Sequence, residues 1–197
     1  MILDADGWAV DGRIEKKPFP GLNHGRMEII DGIVVHQTGA KTIMSTFNSY
    51  GFGKGDTKGA HFLIDKDGKI YQTASTSWLL WHVGQLKARC AIEYKCSPVE
   101  AKLVLGFKHA DINRLEKGKS FPDRFPENKD SIGIELVGAP LDQSDDAPYE
   151  TVTDQQNKSL SWLVSELRLK FEVPLQEVYR HPQLSYKNPH EAETAKW

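Results

Sequence analysis

Residues 31–40, DGIVVHQTGA, set a β-branched run, Ile33, Val34 and Val35, between an Asp-Gly step and a turn at Gly39. An apolar run this short, bounded by turn residues, reads as a buried strand. It closes on His36, which puts a titratable ring at the end of an apolar strand. Downstream, KTIMSTFNSY (41–50) spaces Ile43, Phe47 and Tyr50 as a short helix that stops at Gly51. GFGKGDTKG (51–59) reads as a flexible loop. AHFLIDKDGKIYQTA (60–74) is a hairpin with Asp67-Gly68 as its turn. SWLLWHVG (77–84) follows as a loop or short strand.

The second half repeats the alternation of strand and helix. In SIGIELVG (131–138), Ile132, Ile134 and Leu136 share one face, while Ser131, Gly133, Glu135 and Val137 share the other. That pattern predicts a strand with one buried face. Thr153 and Gln156 form a capping box ahead of a helix whose Leu160, Leu163, Val164, Leu167 and Phe171 make one apolar stripe, stopped by Pro174. QEVYRH (176–181) then reads as a strand ending at His181. The order predicts an α/β fold, a central mixed β-sheet flanked by helices in a single domain. Residues 1–30 form an irregular N-terminal arm, and residues 31–197 form the domain, with a long insertion at about 85–130. Within that insertion SPVEAKLVLGF (97–107) predicts a helix starting after Ser97 and Pro98, and EKGKSFPDRFPENKD (116–130) a surface loop.

Composition narrows the function classes. The chain has 197 residues, 39% hydrophobic and 26% charged, the profile of one soluble globular domain. Its net charge of −2 gives no basis for general electrostatic binding to nucleic acid or anionic lipid. No apolar run approaches the roughly 18–20 residues of a membrane helix. The N-terminus lacks the basic and apolar regions of a secretory signal peptide. Cys90 and Cys96 are either two ordinary thiols or a short-loop disulfide suited to an oxidising workplace. Their spacing and the missing second pair argue against a structural zinc site.

Seven histidines are present. His24 and His109 stand in polar surroundings and read as surface residues. His36 and His181 each fall at the end of a strand, where two imidazoles can meet at one rim of a sheet and bind zinc. Taken alone, each reads first as a satisfied core histidine. Glu135 is a carboxylate on a core strand, unfavourable unless it is paired, solvated in a cleft, or near a metal. Trp78 and Trp162 read as core packing. Trp81 suits either the core or a sugar-binding groove.

Taken in order, IVVHQT, GAHFLIDKDGKIYQ, WHVG, SIGIELVG and the RH…K segment resemble zinc-dependent N-acetylmuramoyl-L-alanine amidases, the family of phage lysozyme-type amidases and peptidoglycan recognition proteins. The resemblance runs from about Ile33 to the C-terminus. It implies a zinc ion (Zn2+), a peptidoglycan-binding groove, and hydrolysis of the amide between N-acetylmuramic acid and the L-alanine of the stem peptide. By resemblance, His36 and His181 match the zinc histidines, Glu135 the general base, and Lys187 the lysine at the developing oxyanion. Trp81 and His82 match the groove-lining pair. The chain departs from the family where Lys-x-Asp-Pro-Gly or Lys-x-Cys-Pro-Gly is usual: here it reads KNPHEAE, leaving Glu191, His190 or Asn188 as third ligand. Glu191 is favoured because it keeps the carboxylate charge. A non-catalytic peptidoglycan-binding module is the alternative, and a glycosidase pairing Glu135 with Glu191 or Asp111 a third reading. The pattern RHPxxSxKNPxEAxTAKW also resembles antibacterial secreted effectors of Gram-negative bacteria. That implies action in a rival's periplasm without a Sec signal, and an immunity protein as partner. A phage endolysin or a cytoplasmic recycling enzyme are the other settings.

Overall fold

The structure is a computed structural model and describes residues 1–52 and 55–197. The loop expected at 51–59 includes residues 53 and 54, which lie outside the described residues. Six strands form one sheet: β1 (Ile14–Lys16), β2 (Gly32–Gln37), β3 (Phe62–Ile64), β4 (Ile70–Gln72), β5 (Ser131–Leu136) and β6 (Val178–Arg180), in the order β1-β4-β3-β5-β2-β6. β3, β5, β2 and β6 run parallel; β4 is antiparallel to β3, and β1 is parallel to β4. The β3–β4 hairpin closes as its sequence demands. Asp65 and Lys69 bond across the loop, and Gly68 takes the left-handed φ of +86° that the turn requires.

Among the described residues six α-helices accompany the sheet: α1 (Ile43–Phe52), α2 (Arg89–Ile92), α3 (Pro98–Gly106), α4 (His109–Lys117), α5 (Asp154–Phe171) and α6 (His181–Leu184). α5 starts with the expected capping box, Thr153 and Gln156 each satisfying the other's backbone N–H. Its Leu160, Leu163, Val164 and Leu167 are buried against Ile33 and Val35 of β2, Phe62 and Ile64 of β3, and Ile132, Ile134 and Leu136 of β5. Each fully buried aliphatic side chain contributes about 1.5–3 kcal/mol by leaving water, so this interface is the main store of stability. Phe171 and Trp162 pack at its margin, Trp162 under the Arg13 guanidinium at 3.8 Å.

Three expectations need correction. β5 is buried on both faces apart from half-buried Glu135, because it lies between β3 and β2 and its second face is covered by the His82 ring and Ala60 at Gly133 and by the Glu127 carbonyl at Ser131. The N-terminal arm is not wholly irregular, since residues 14–16 add an edge strand. The stretch 116–130 is not a surface loop: it begins in the last turn of α4, and Glu116, Arg124, Phe125 and Asp130 are buried. Arg124 explains how a charged segment goes inside. Its guanidinium donates to the carbonyls of Lys119 and Phe125 and pairs with Asp130, which satisfies a cation that would otherwise be costly to bury.

Cys90 and Cys96 are joined as a disulfide between α2 and the start of α3. Among the described residues no helix is long and apolar enough to cross a membrane.

Candidate metal centre and groove

Alternation along the strands decides which side chains meet. Ile33 and Val35 point to α5, so His36 points the other way. Glu135 is its register partner on β5, on the same face. His181 follows β6, which flanks β2 on its other side, and opens α6. Glu191 comes from the C-terminal turns. His36 Nδ1 lies 2.9 Å from His181 Nδ1, and the Glu191 carboxylate lies 3.0 Å from His181 Nδ1 and 3.4 Å from His36 Nδ1. All three residues are buried.

The remaining ring nitrogens fix what these atoms present. His181 Nε2 faces the carbonyl of Val83 at 2.7 Å and must donate to it. His82 Nε2 faces the carbonyl of Ser131 at 3.2 Å and must also donate. In neutral His82 this leaves Nδ1 bare, and it accepts at 3.1 Å from His36 Nε2. In their neutral forms, then, both His36 and His181 turn a lone pair on Nδ1 toward a carboxylate. Three electron-rich atoms at 2.9–3.4 Å repel one another unless a cation lies among them. Zinc–ligand distances of about 2.0–2.2 Å imply tetrahedral edges of roughly 3.3–3.5 Å, close to this triangle. The donor set fits a metal.

Electrostatics supports the same reading. Burial is the largest influence on His36; with the nearby charges of His181 and Lys187 it outweighs the pull of Glu191 and lowers the ring to about 4. Burial favours protonation of Glu191, but the two imidazoles that face it overcome this, because a proton on either ring supplies an N–H to its oxygen, and the carboxyl is held down to about 2. Glu135 behaves differently. Burial and the charge of Glu191 push it up to about 7, against a hydrogen bond donated by the Tyr50 hydroxyl.

The centre opens into a groove of about 920 Å³ whose walls include His36, Glu135, His181 and Glu191 as well as Trp81, Tyr149 and Lys187. Trp81 is 40% exposed at the rim and stacks on His24, ring centroids 3.7 Å apart. His24 is therefore half-buried, its Nε2 bonded to the carbonyl of Thr57, and not the surface residue its context suggested. His109 is exposed and stacks on Tyr186. Lys187 is exposed in the groove, and among the described residues it forms no ion pair.

The structure brings His36, His181 and Glu191 to one point and keeps the two alternative ligands away. Asn188 spends its amide on the Ala147 carbonyl and the His190 N–H. His190 turns outward to Glu193. His82 lines the groove but commits both ring nitrogens inside the protein, which makes it a neighbour of His36 as much as a wall. His61, fully buried, is a satisfied core histidine bonded to Trp78 and Gly133. Sequence reasoning missed Tyr50 as the partner of Glu135. A buried tyrosine on a helix face needs a partner for its hydroxyl, and that signal was present.

Solved structures share the fold. A selenomethionine derivative of AmpD superimposes with a TM-score of 0.57 at 20% identity, over 93% of this chain and 88% of that one. PlyL gives 0.53 at 15% identity, over 91% and 84%. A mutant endolysin from Bacillus subtilis gives 0.50 at 18% identity, over 85% and 82%. No curated protein matches the sequence. The family model described as N-acetylmuramoyl-L-alanine amidase matches residues 26–196, nearly the whole chain, and the chain belongs to that family.

Proposed function

We propose that the chain is a zinc-dependent peptidoglycan amidase that cleaves the amide between N-acetylmuramic acid and the L-alanine of the stem peptide. The observation that carries this is the buried triangle of His36 Nδ1, His181 Nδ1 and the Glu191 carboxylate at the floor of an open groove. These three residues would hold the metal beside the groove. Zinc there supplies Lewis-acid chemistry toward the scissile carbonyl and lowers the pKa of water. Glu135, on the neighbouring strand with a pKa near about 7, takes the proton of the attacking water. As the carbon–nitrogen bond breaks, it hands that proton to the leaving amine. Tyr50 holds the carboxylate in place. Lys187 carries positive charge into the groove, where it stabilises the negative charge growing on the carbonyl oxygen. Trp81 and His82 line the path of the substrate.

The Cys90–Cys96 disulfide supports an oxidising workplace, which favours cell-wall action over cytoplasmic recycling. With the C-terminal pattern, this supports the antibacterial effector reading, its site of action the periplasm and its partner an immunity protein. A digest of purified peptidoglycan, read by mass spectrometry with and without chelator, tests the activity. Free stem peptides and bare glycan, lost with chelator and restored by zinc, are the expected products. Shortened glycan with peptides attached means a glycosidase. Binding without cleavage means a recognition module.

A further inference from the structure

Both ligand histidines depend on adjacent residues of one loop. His82 accepts from His36 through its ring, and Val83 accepts from His181 through its carbonyl. This loop belongs to no strand or helix, so something else must hold it. The holder is Asn128. Its Oδ1 accepts from the backbone N–H of His82 at 3.0 Å and of Val83 at 2.8 Å. The start of β5, three residues on, then grips the His82 ring, since the carbonyl of Ser131 receives its Nε2–H. Gly133 makes room: a Cβ there would lie 3.0 Å from the His82 ring.

The Asn128 turn is itself tied down by hydrogen bonds and an ion pair. Asp130 accepts from the Glu127 N–H, Ser131 Oγ donates to the Glu127 carbonyl, and buried Arg124 pairs with Asp130. A second asparagine of the 85–130 segment, Asn113, holds the Leu86 N–H at 3.0 Å.

We propose that Asn128 is a positioning residue for the metal centre: by pinning the backbone of residues 82 and 83 it sets the Nε2–H tautomer of both His36 and His181, and so keeps both Nδ1 lone pairs directed at the metal. This gives the segment at 85–130 a structural purpose behind the site, beyond any part it plays in substrate choice. The inference rests on the metal reading above, but the tautomers can be read without metal.

The test uses ¹⁵N-labelled metal-free protein at a pH where the imidazoles are neutral. Long-range proton–nitrogen spectra assign the proton on each ring, and zinc affinity is measured in parallel. Wild type should show Nε2–H at His36 and His181. Asn128→Ala should show mixed tautomers in at least one of them and bind zinc about 10-fold or more weakly, in the 10–100-fold range of outer-shell losses. Asn128→Asp keeps an acceptor oxygen and should retain both tautomers and affinity within a few-fold of wild type. Unchanged tautomers and affinity in folded Asn128→Ala would overturn the proposal, as would a wild-type Nδ1–H at either histidine. Should Asn128→Ala not fold, a large loss of affinity in folded Asn128→Asp would overturn it too, because the acceptor is preserved. Wild type with both Nε2–H tautomers but no affinity for zinc would support the clamp and defeat the metal reading.

Discussion

On the side facing α5, β2 and β5 present Ile33, Val35, Ile132, Ile134 and Leu136, all buried and apolar. On the opposite side the same two strands present Val34, His36, Gly133 and Glu135. Neighbouring residues of one strand thus serve opposite ends. The α5 face gains free energy from burial with no polar group to satisfy. The groove face buries imidazoles and carboxylates, each of which costs stability unless it finds a partner. Most of these groups have one: the Val83 and Ser131 carbonyls for the rings and Tyr50 for Glu135, while the two facing Nδ1 atoms and Glu191 are left to a cation. One face thus carries the stability that allows the other to hold groups poised for chemistry.

The sharpest way to break that division is on the groove face. Glu191→Ala removes a metal ligand and should weaken zinc binding by more than the 10–100-fold typical of outer-shell losses, with activity falling to background in a peptidoglycan digest. Next comes Glu135→Gln. It should lower turnover by about 10²–10⁴-fold, the usual contribution of a general base, while zinc measured by elemental analysis stays at the wild-type level. Loss of zinc in that variant would make Glu135 a structural or ligand residue instead. On the α5 face, Leu163→Ala should cost about 2–5 kcal/mol in denaturant unfolding through the cavity it leaves. Its zinc affinity should stay unchanged, since its contacts are on the other side of the sheet.

The smallest effect concerns pH. Glu135 titrates at about 7 in the folded chain against an ordinary value of 4.5. Its contribution to stability is therefore fully present below about 4.5 and is lost as pH rises through about 7. Glu191 runs the other way: its contribution is present above 4.5 and lost as pH falls toward about 2. Stability curves of wild type and Glu135→Gln should separate most at low pH and draw together, or cross, as pH rises through 7. Curves that diverge with rising pH would contradict the account. Turnover of wild type should show an acid limb near the same pH.

The two faces were also unequally legible. The α5 face announces itself through local patterns: the β-branched run at 33–35, the alternation at 131–137 and the capping box with its stripe all follow from periodicity within one segment. His36 and His181 could be singled out because each ends such a segment. Their convergence with Glu191 rested on resemblance, because no spacing relates residue 36 to residue 181. The buried Arg124 turn, the Asn128 contacts and the Tyr50–Glu135 bond left little local trace. The Asn128 and Tyr50 contacts join segments far apart in the chain, and the Arg124 turn, though its partners lie within six residues, falls in a charged, proline-punctuated stretch that looks solvated until those partners are known. Edge strand β1 escaped because its Ile-Glu-Lys sequence buries one side chain only and has no apolar run, unlike the equally short β3.

The most direct measurement is the zinc content of the purified protein after removal of loosely held metal, compared with Glu191→Ala prepared in the same way. The account predicts one equivalent of zinc per wild-type chain and almost none in the variant, with both chains folded. A full equivalent retained by Glu191→Ala, or none in wild type, would contradict the claim that His36, His181 and Glu191 form a metal centre.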